Sequence, residues 1–188
     1  ISIYSLQLEE GTSFFSMYRS GRLQLADDRT DRRMYHWAVN RLAAAGLQLY
    51  EIANAARPER ACRHNLKYWS MDDYLGLGLG AHSFQNGWRF RRTEALEEYL
   101  SDQRAVDRRK NTRSDSIGEF LFTGLRKTEG IRFADFNKRF GCDVKDLFPE
   151  AIERHRTAGL LVVDRAAGRL YLTGKGIDVS NAVFADCV

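Results

Sequence analysis

The ten residues "ACRHNLKYWS", 61–70, bring Cys62, His64, Asn65, Tyr68 and Trp69 within a single short stretch. Imidazole is the side chain here that both titrates near neutral pH and ligates metals well, haem iron included. Asn65 can orient or hydrogen-bond, while Tyr68 and Trp69 offer flat faces suited to a planar ligand. The set therefore suits a porphyrin held through His64. It suits equally a histidine satisfied by its neighbours, with Tyr68 and Trp69 anchored in a core; the chemistry leaves both open. Further on, "GLGLGAHS" alternates Gly76, Gly78 and Gly80 with Leu75, Leu77 and Leu79 and ends on His82. Such alternation predicts a strand with leucines on one face and the glycine face open to close approach. No helix opens directly after the glycines, so this is not the dinucleotide fingerprint. Tight packing in a curved sheet explains the glycines as well, and His82 either lines a pocket or caps the strand.

Other chemically able residues have plainer readings. His36, between Tyr35 and Trp37, is read as structural, and His155 in "ERHRT" as solvated. Glu9, Glu10 and Glu51 could serve as acid/base carboxylates; Glu51, at a strand end, is the best placed, with ion pairing its ordinary role. Cys62, Cys142 and Cys187 lie far apart, and no pair has the spacing of a zinc knuckle or iron–sulfur loop. Cys142 and Cys187 read as small thiols. A disulfide framework is not expected, which points to a reducing cytoplasm.

These residues need elements to position them. Residues 1–8, "ISIYSLQL", read as a buried strand followed by the loop "EEGTSFF". A helix follows over 31–45, with Thr30 as N-cap, Met34, Trp37, Ala38 and Leu42 on its inner face and Gly46 as its stop. "LQLYEI" reads as a strand, "ANAARPERACRHN" as a long polar loop and "YLGLGLGAHSF" as another strand. Strand, helix, strand, loop, strand is part of a parallel α/β sheet. Ligands in such sheets sit beyond the carboxyl ends of the strands, so "EEGTSFF", "CRHNLKYW" and "GAHS" are expected to converge on one rim.

Past residue 92 the pattern changes. "TEALEEYLSDQ" reads as an amphipathic helix with Leu96, Tyr99 and Leu100 inward, and "RAVDRRKNTRSD" as a linker. A helix capped by Ser114 follows, packing through Phe120, Leu121, Gly124 and Leu125. A short helix with Phe133, Phe136 and Phe140 closes at Gly141, a third ends near Gly159, and a hairpin turns at residues 164–168. Three helices and a hairpin make the winged-helix order. The expected domains are 1–110 and 111–188.

At 188 residues, 44% hydrophobic and 12% aromatic, the chain can bury a core. No run approaches the roughly 18–20 apolar residues of a membrane span, and no basic-then-apolar leader opens it. The opening "ISIYSLQL", strand-like and without an initiator methionine, suggests a missing upstream part. A net charge of +4 admits anionic ligands but argues weakly for nucleic acid. The candidate recognition helix, "PEAIERHRTAGL", mixes Glu150 and Glu153 with Arg154 and Arg156, which disfavours DNA.

In their order and spacing, "YSLQLEEGTSFF", "YEIANAARP", "CRHNLKYW" and "YLGLGLGAHSF" resemble the radical S-adenosylmethionine family of oxygen-independent coproporphyrinogen III oxidase-like proteins. "HNLKYW" is similar to the H-N-x-x-Y-W signature of the haem chaperone branch, which true oxidases lack. The resemblance covers nearly the whole chain. It implies the C-terminal part of a radical S-adenosylmethionine barrel, partial and TIM-like, followed by a small winged-helix-like α+β domain. It makes His64 the haem-binding histidine, and so a ligand of haem iron, with Asn65, Tyr68 and Trp69 completing the signature. Gly78, Gly80 and Ala81 resemble the strand end lining the S-adenosylmethionine pocket. A cysteine loop upstream would hold a [4Fe–4S] cluster; no ligand triad lies in this chain, so cluster and S-adenosylmethionine are expected of the full-length protein only, and no radical catalysis is expected of this fragment. The implied partners are haem and haem-accepting proteins, membrane-associated ones included, and a homodimer is compatible with it. The rival activity is oxidative decarboxylation of coproporphyrinogen III through a 5′-deoxyadenosyl radical.

Overall fold

The structure, a computed structural model, describes residues 1–101 and 105–186. Two compact units divide it, Ile1–Ala61 and Cys62–Val188.

In the first unit, Thr12 caps α1 (Ser13–Arg19) by accepting from the Phe15 amide. Helix α2 (Asp28–Ala44) begins at Asp27, whose carboxylate accepts from the amide of Thr30, so the cap lies before the expected Thr30. An anionic cap also complements the positive helix N-terminus. Ala38 and Leu42 are half-buried, but Met34 and Trp37 are exposed, Trp37 at 69%, against the expectation that both face inward. The covered stripe is narrow because it rests on one strand, β1 (Gln48–Glu51), with the Tyr35 hydroxyl donating to the Ile52 carbonyl. β1 pairs antiparallel with β2 (Asn54–Ala56), so the expected long loop begins as a strand. Glu51 is fully buried, and its carboxylate accepts from the Ala53 amide and the Asn54 side chain across the turn. Residues 1–8 form no buried strand; they touch the hairpin through a bridge of Ser2 to Asn54 and are mostly exposed. The parallel crossover expected here is absent among the described residues, where every strand pair is antiparallel. The expected crossover from residues 1–8 through α2 to β1 fails because residues 1–8 form no strand and meet the hairpin through an antiparallel bridge.

The second unit opens with α3 (Arg63–Trp69), so "CRHNLKYW" is helical rather than a loop. Strands β3 (His82–Gln85) and β4 (Trp88–Arg92), helix α4 (Leu96–Ser101) and strand β5 (Ala105–Lys110) follow, with sheet order β3-β4-β5. Half of the expected linker, residues 105–110, is thus an edge strand. In α4, Tyr99 is half-buried while Leu96 and Leu100 are exposed, contrary to expectation; Asp102 and Gln103 lie outside the described residues. The glycine ladder is not a strand. Gly78 and Gly80 take φ of +101° and +65°, outside extended backbone, and Leu75, Leu77 and Leu79 stand exposed, Leu77 at 80%. The segment doubles back so that Tyr74 bridges Phe84, and Gly76 sits where a Cβ would strike the His82 carbonyl.

Helix α5 (Arg113–Gly124) starts with a capping box between Thr112 and Asp115, not at Ser114. Then come β6 (Ile131–Arg132), α6 (Phe133–Phe140), α7 (Val144–Leu147), α8 (Pro149–Thr157), β7 (Leu161–Asp164), β8 (Arg169–Leu172), α9 (Gly174–Asp178) and α10 (Ser180–Ala185). β6, β8 and β7 form an antiparallel sheet in that order, so the hairpin gains a third strand. Phe120, Phe136 and Phe140 pack around one another, with Leu121, Leu125, Ile131 and Leu170 beside them in the core. Phe136 is 0% exposed, and burying a side chain of its kind contributes about 1.5–3 kcal/mol. Gly141 ends α6 in the left-handed region, as its position predicts. His155, expected in solvent, is buried with Nε2 2.7 Å from the Asp186 carboxylate. The apolar residues Ala151 and Ile152 share its side of α8, so the helix face turned inward carries the imidazole with it. Cys187 lies outside the described residues.

Candidate functional site

Helix α3 is seven residues long, and His64 and Tyr68, four apart, share a face. His64 is exposed, its ring standing edge-on to Tyr68 with centroids 4.8 Å apart and planes at 88°. Tyr68 stands edge-on to Tyr74 at 4.5 Å, and Tyr74 lies 6.5 Å from buried Phe84. A ladder of rings therefore runs from a solvent-facing imidazole to the sheet core. Edge-on rings of this kind hold each other in place and leave the outer face of the imidazole accessible.

Trp69 turns elsewhere. Helix α3 packs on α5, and the Arg126 guanidinium lies 4.4 Å over the Trp69 ring. Trp69 is half-buried, as is Asn65. His64 and Tyr68 are brought together; Trp69 is directed to a different neighbour.

The carboxyl end of α3 is clamped by groups the sequence reading did not single out. Arg139 on α6 donates to the carbonyls of Ser70 at 3.2 Å and Met71 at 2.8 Å. The Lys127 ammonium lies 3.4 Å from the Ser70 hydroxyl. Cations at the final carbonyls of a helix complement its negative end. Burial pushes the Lys127 ammonium below the usual lysine range, against the pull of Glu129, Asp135 and Asp72. These partners stand more than fifty residues from α3, so no local signal in the sequence marks them.

The glycine residues behave unequally. Gly78 has nothing near the position of a Cβ and leaves its backbone open. The Gly80 amide donates to the Thr93 carbonyl and the Ala81 amide to that of Gly78, so both donors are engaged. His82 is exposed at the start of β3. His36 is exposed, edge-on to Tyr35. Glu9 and Glu10 are exposed, while Glu51 organises its own hairpin. Cys62 is an exposed thiol, and Cys142 lies 3.5 Å from Arg113 Nη2. Among the described residues no three His, Cys, Asp or Glu side chains gather as a metal centre requires, and the chain's cysteines do not fit a cluster site. Among the described residues no helix is long and apolar enough to cross a membrane.

An antiparallel three-stranded sheet, β6-β8-β7, interleaved with helices α5 to α8, defines a winged-helix-like α+β domain. Residues 111–179 match the family described as the HemN C-terminal domain. The chain belongs to the HemN-like radical S-adenosylmethionine family. It is 31% identical over 187 residues to the heme chaperone HemW of Lactococcus lactis, covering 98% of this chain and 49% of the relative. It is 32% identical over 188 residues to heme chaperone HemW of Bacillus subtilis, covering 97% and 49%. The chain thus spans about half the length of these curated relatives. In three dimensions it is similar to the coproporphyrinogen III oxidase HemN of Escherichia coli, described as a radical SAM enzyme, with a TM-score of 0.67 at 16% identity over 90% of this chain and 44% of that one. At that identity the likeness carries the fold alone.

Proposed function

We propose that this chain is the haem-holding part of a haem chaperone, in which His64 ligates haem iron and the longer protein passes the haem to acceptor proteins. The carrying observation is an exposed imidazole braced edge-on by Tyr68 on a helix whose far end is clamped. Haem is the cargo here. The His64 ring offers a nitrogen to the iron from the solvent side, Tyr68 keeps the ring upright and Asn65 is near enough in sequence to orient it. Trp69 acts from behind, by fixing α3 against α5. The similarity to two heme chaperones supports this assignment over decarboxylation.

S-adenosylmethionine and a [4Fe–4S] cluster belong to the longer protein in this reading; the group would supply radical chemistry or modulate haem loading there. Among Gly78, Gly80 and Ala81, Gly78 keeps its backbone open to a close approach by adenosylmethionine, and Gly80 and Ala81 shape the turn around it. The reading also places the domain division at 110/111, the protein in the cytoplasm, and acceptors, membrane-associated ones among them, as partners.

The test is haem titration of the full-length protein with and without His64→Ala. The expected outcome is loss or displacement of the Soret band and at least a tenfold weaker affinity. An unchanged spectrum and affinity would remove His64 from the site. Consumption of coproporphyrinogen III by the unaltered protein would favour the oxidase instead.

A further inference from the structure

We propose that the outer face and free edge of the β3-β4-β5 sheet take an extended acidic segment of a partner protein, added as a fourth strand beside β5. This is independent of the haem assignment.

The face is aromatic and cationic. Trp88 and Lys110 stand directly opposite one another, as do Gln85 and Trp88, so all three share one side of the sheet. On that side the Arg108 guanidinium lies 4.3 Å over the Trp88 ring and the Lys110 ammonium 5.8 Å from it. A cleft of about 460 Å3 is lined there by Gln85, Asn86, Trp88, Phe90, Ala105 and Arg108. Arg108 and Lys110 form no ion pair among the described residues, and both are exposed. The acids nearby serve other cations. Asp107 and Glu94 hold Arg91, and Glu119 grips Arg89 through both its oxygens.

The edge is free as well. Strand β5 pairs with β4 on one side, and among the described residues nothing pairs with its other side, leaving outward backbone donors and acceptors. Such an edge accepts an added strand through main-chain hydrogen bonds, with side chains setting specificity. Its charge chooses the occupant. In "AVDRRK" Arg108, Arg109 and Lys110 are consecutive, so a second copy of β5 laid parallel and in register would set cations against cations. Arg109 already stands opposite Arg89, an arrangement that is unfavourable unless an acid intervenes. An incoming strand with acids at alternate positions would set them beside Arg108 and Lys110 on the Trp88 side and turn its intervening apolar side chains to the opposite face.

The probe is an eight-residue peptide alternating Glu with Val, measured against the full-length protein by fluorescence anisotropy and by hydrogen exchange. Its lysine counterpart, a thymidine oligonucleotide and vesicles containing anionic phospholipid serve as comparisons. We expect the glutamate peptide to bind, to slow exchange at residues 105–110, and to lose at least tenfold in affinity with Arg108→Glu and Lys110→Glu together. Both substitutions are at exposed positions, and an unchanged melting temperature establishes that the variant is folded. Binding to the oligonucleotide or the vesicles with none to the peptide would overturn the proposal. So would peptide binding that leaves exchange at 105–110 unaltered. A His64→Ala protein should bind the peptide as the parent does, which separates this outcome from that of haem titration.

Discussion

Position 76 shows how little space a single residue is allowed in this protein. A methyl group at Gly76 would run into the His82 carbonyl, whereas one at Gly78 meets open space but a strained φ. Gly76→Ala should therefore destabilise by about 1–3 kcal/mol through overpacking. Gly78→Ala should cost about 1–2 kcal/mol from backbone conformation alone. Thermal melting of the pair separates the two; equal and negligible shifts would contradict the packing described for residues 74–84. Titration is also a residue-level matter. Arg154, then His155, holds the Asp186 carboxyl below the usual carboxylate range. Its contribution is present above the unfolded value of about 3.9 and is lost as pH falls through the lower folded one. The α10 docking contact should loosen in acid over that window, and Asp186→Asn should weaken it at neutral pH while flattening the acid limb. Side-chain resonances of Val183 and Phe184, both buried on α10, report it.

At the scale of elements, α3 is too short to persist alone, since isolated helices of fewer than about 12–15 residues are marginal in water. Its order comes from α5 and α6. Arg139→Ala removes two charge-assisted bonds to the last carbonyls, and hydrogen exchange at residues 66–71 should quicken roughly tenfold, the equivalent of about 1.4 kcal/mol. Arg139→Lys should recover part of this. Unchanged exchange would mean the clamp contributes nothing to α3. The phenylalanine helices were legible in sequence: Phe136 and Phe140 recur at helical spacing before Gly141, and both are buried. The caps were less so, because Asp27 and Thr112 compete with neighbouring Thr30 and Ser114 and only geometry selects between them. The glycine ladder misled for a stronger reason. Alternation predicts a strand only while φ stays negative, and two of its glycines do not.

For the molecule as a whole, apolar burial is uneven. Among the described residues of Ile1–Ala61, Ala53 and Ala55 are the buried hydrophobic side chains, while Phe14, Met34 and Trp37 are exposed. The phenylalanine-rich core lies in the other unit. Limited proteolysis of the 188 residues should cut within the first unit first and leave a resistant piece containing 111–186. The isolated chain should also self-associate through its exposed apolar surface and open strand edges. A monodisperse monomer melting in one cooperative step would contradict both expectations.

The local pattern of the sequence was enough to define the winged-helix order, the wing's turn and the phenylalanine core. Each of these depends on neighbours a few residues apart, where periodicity and side-chain chemistry act. Tertiary structure alone decided that "CRHNLKYW" is a helix, that Trp69 faces Arg126 while His64 faces solvent, and that His155 is buried against Asp186. It also turned half of an apparent linker into a cationic edge strand. Those outcomes depend on partners distant in the chain, and side-chain type fixes what a residue can bond to without fixing which partner the fold brings within reach.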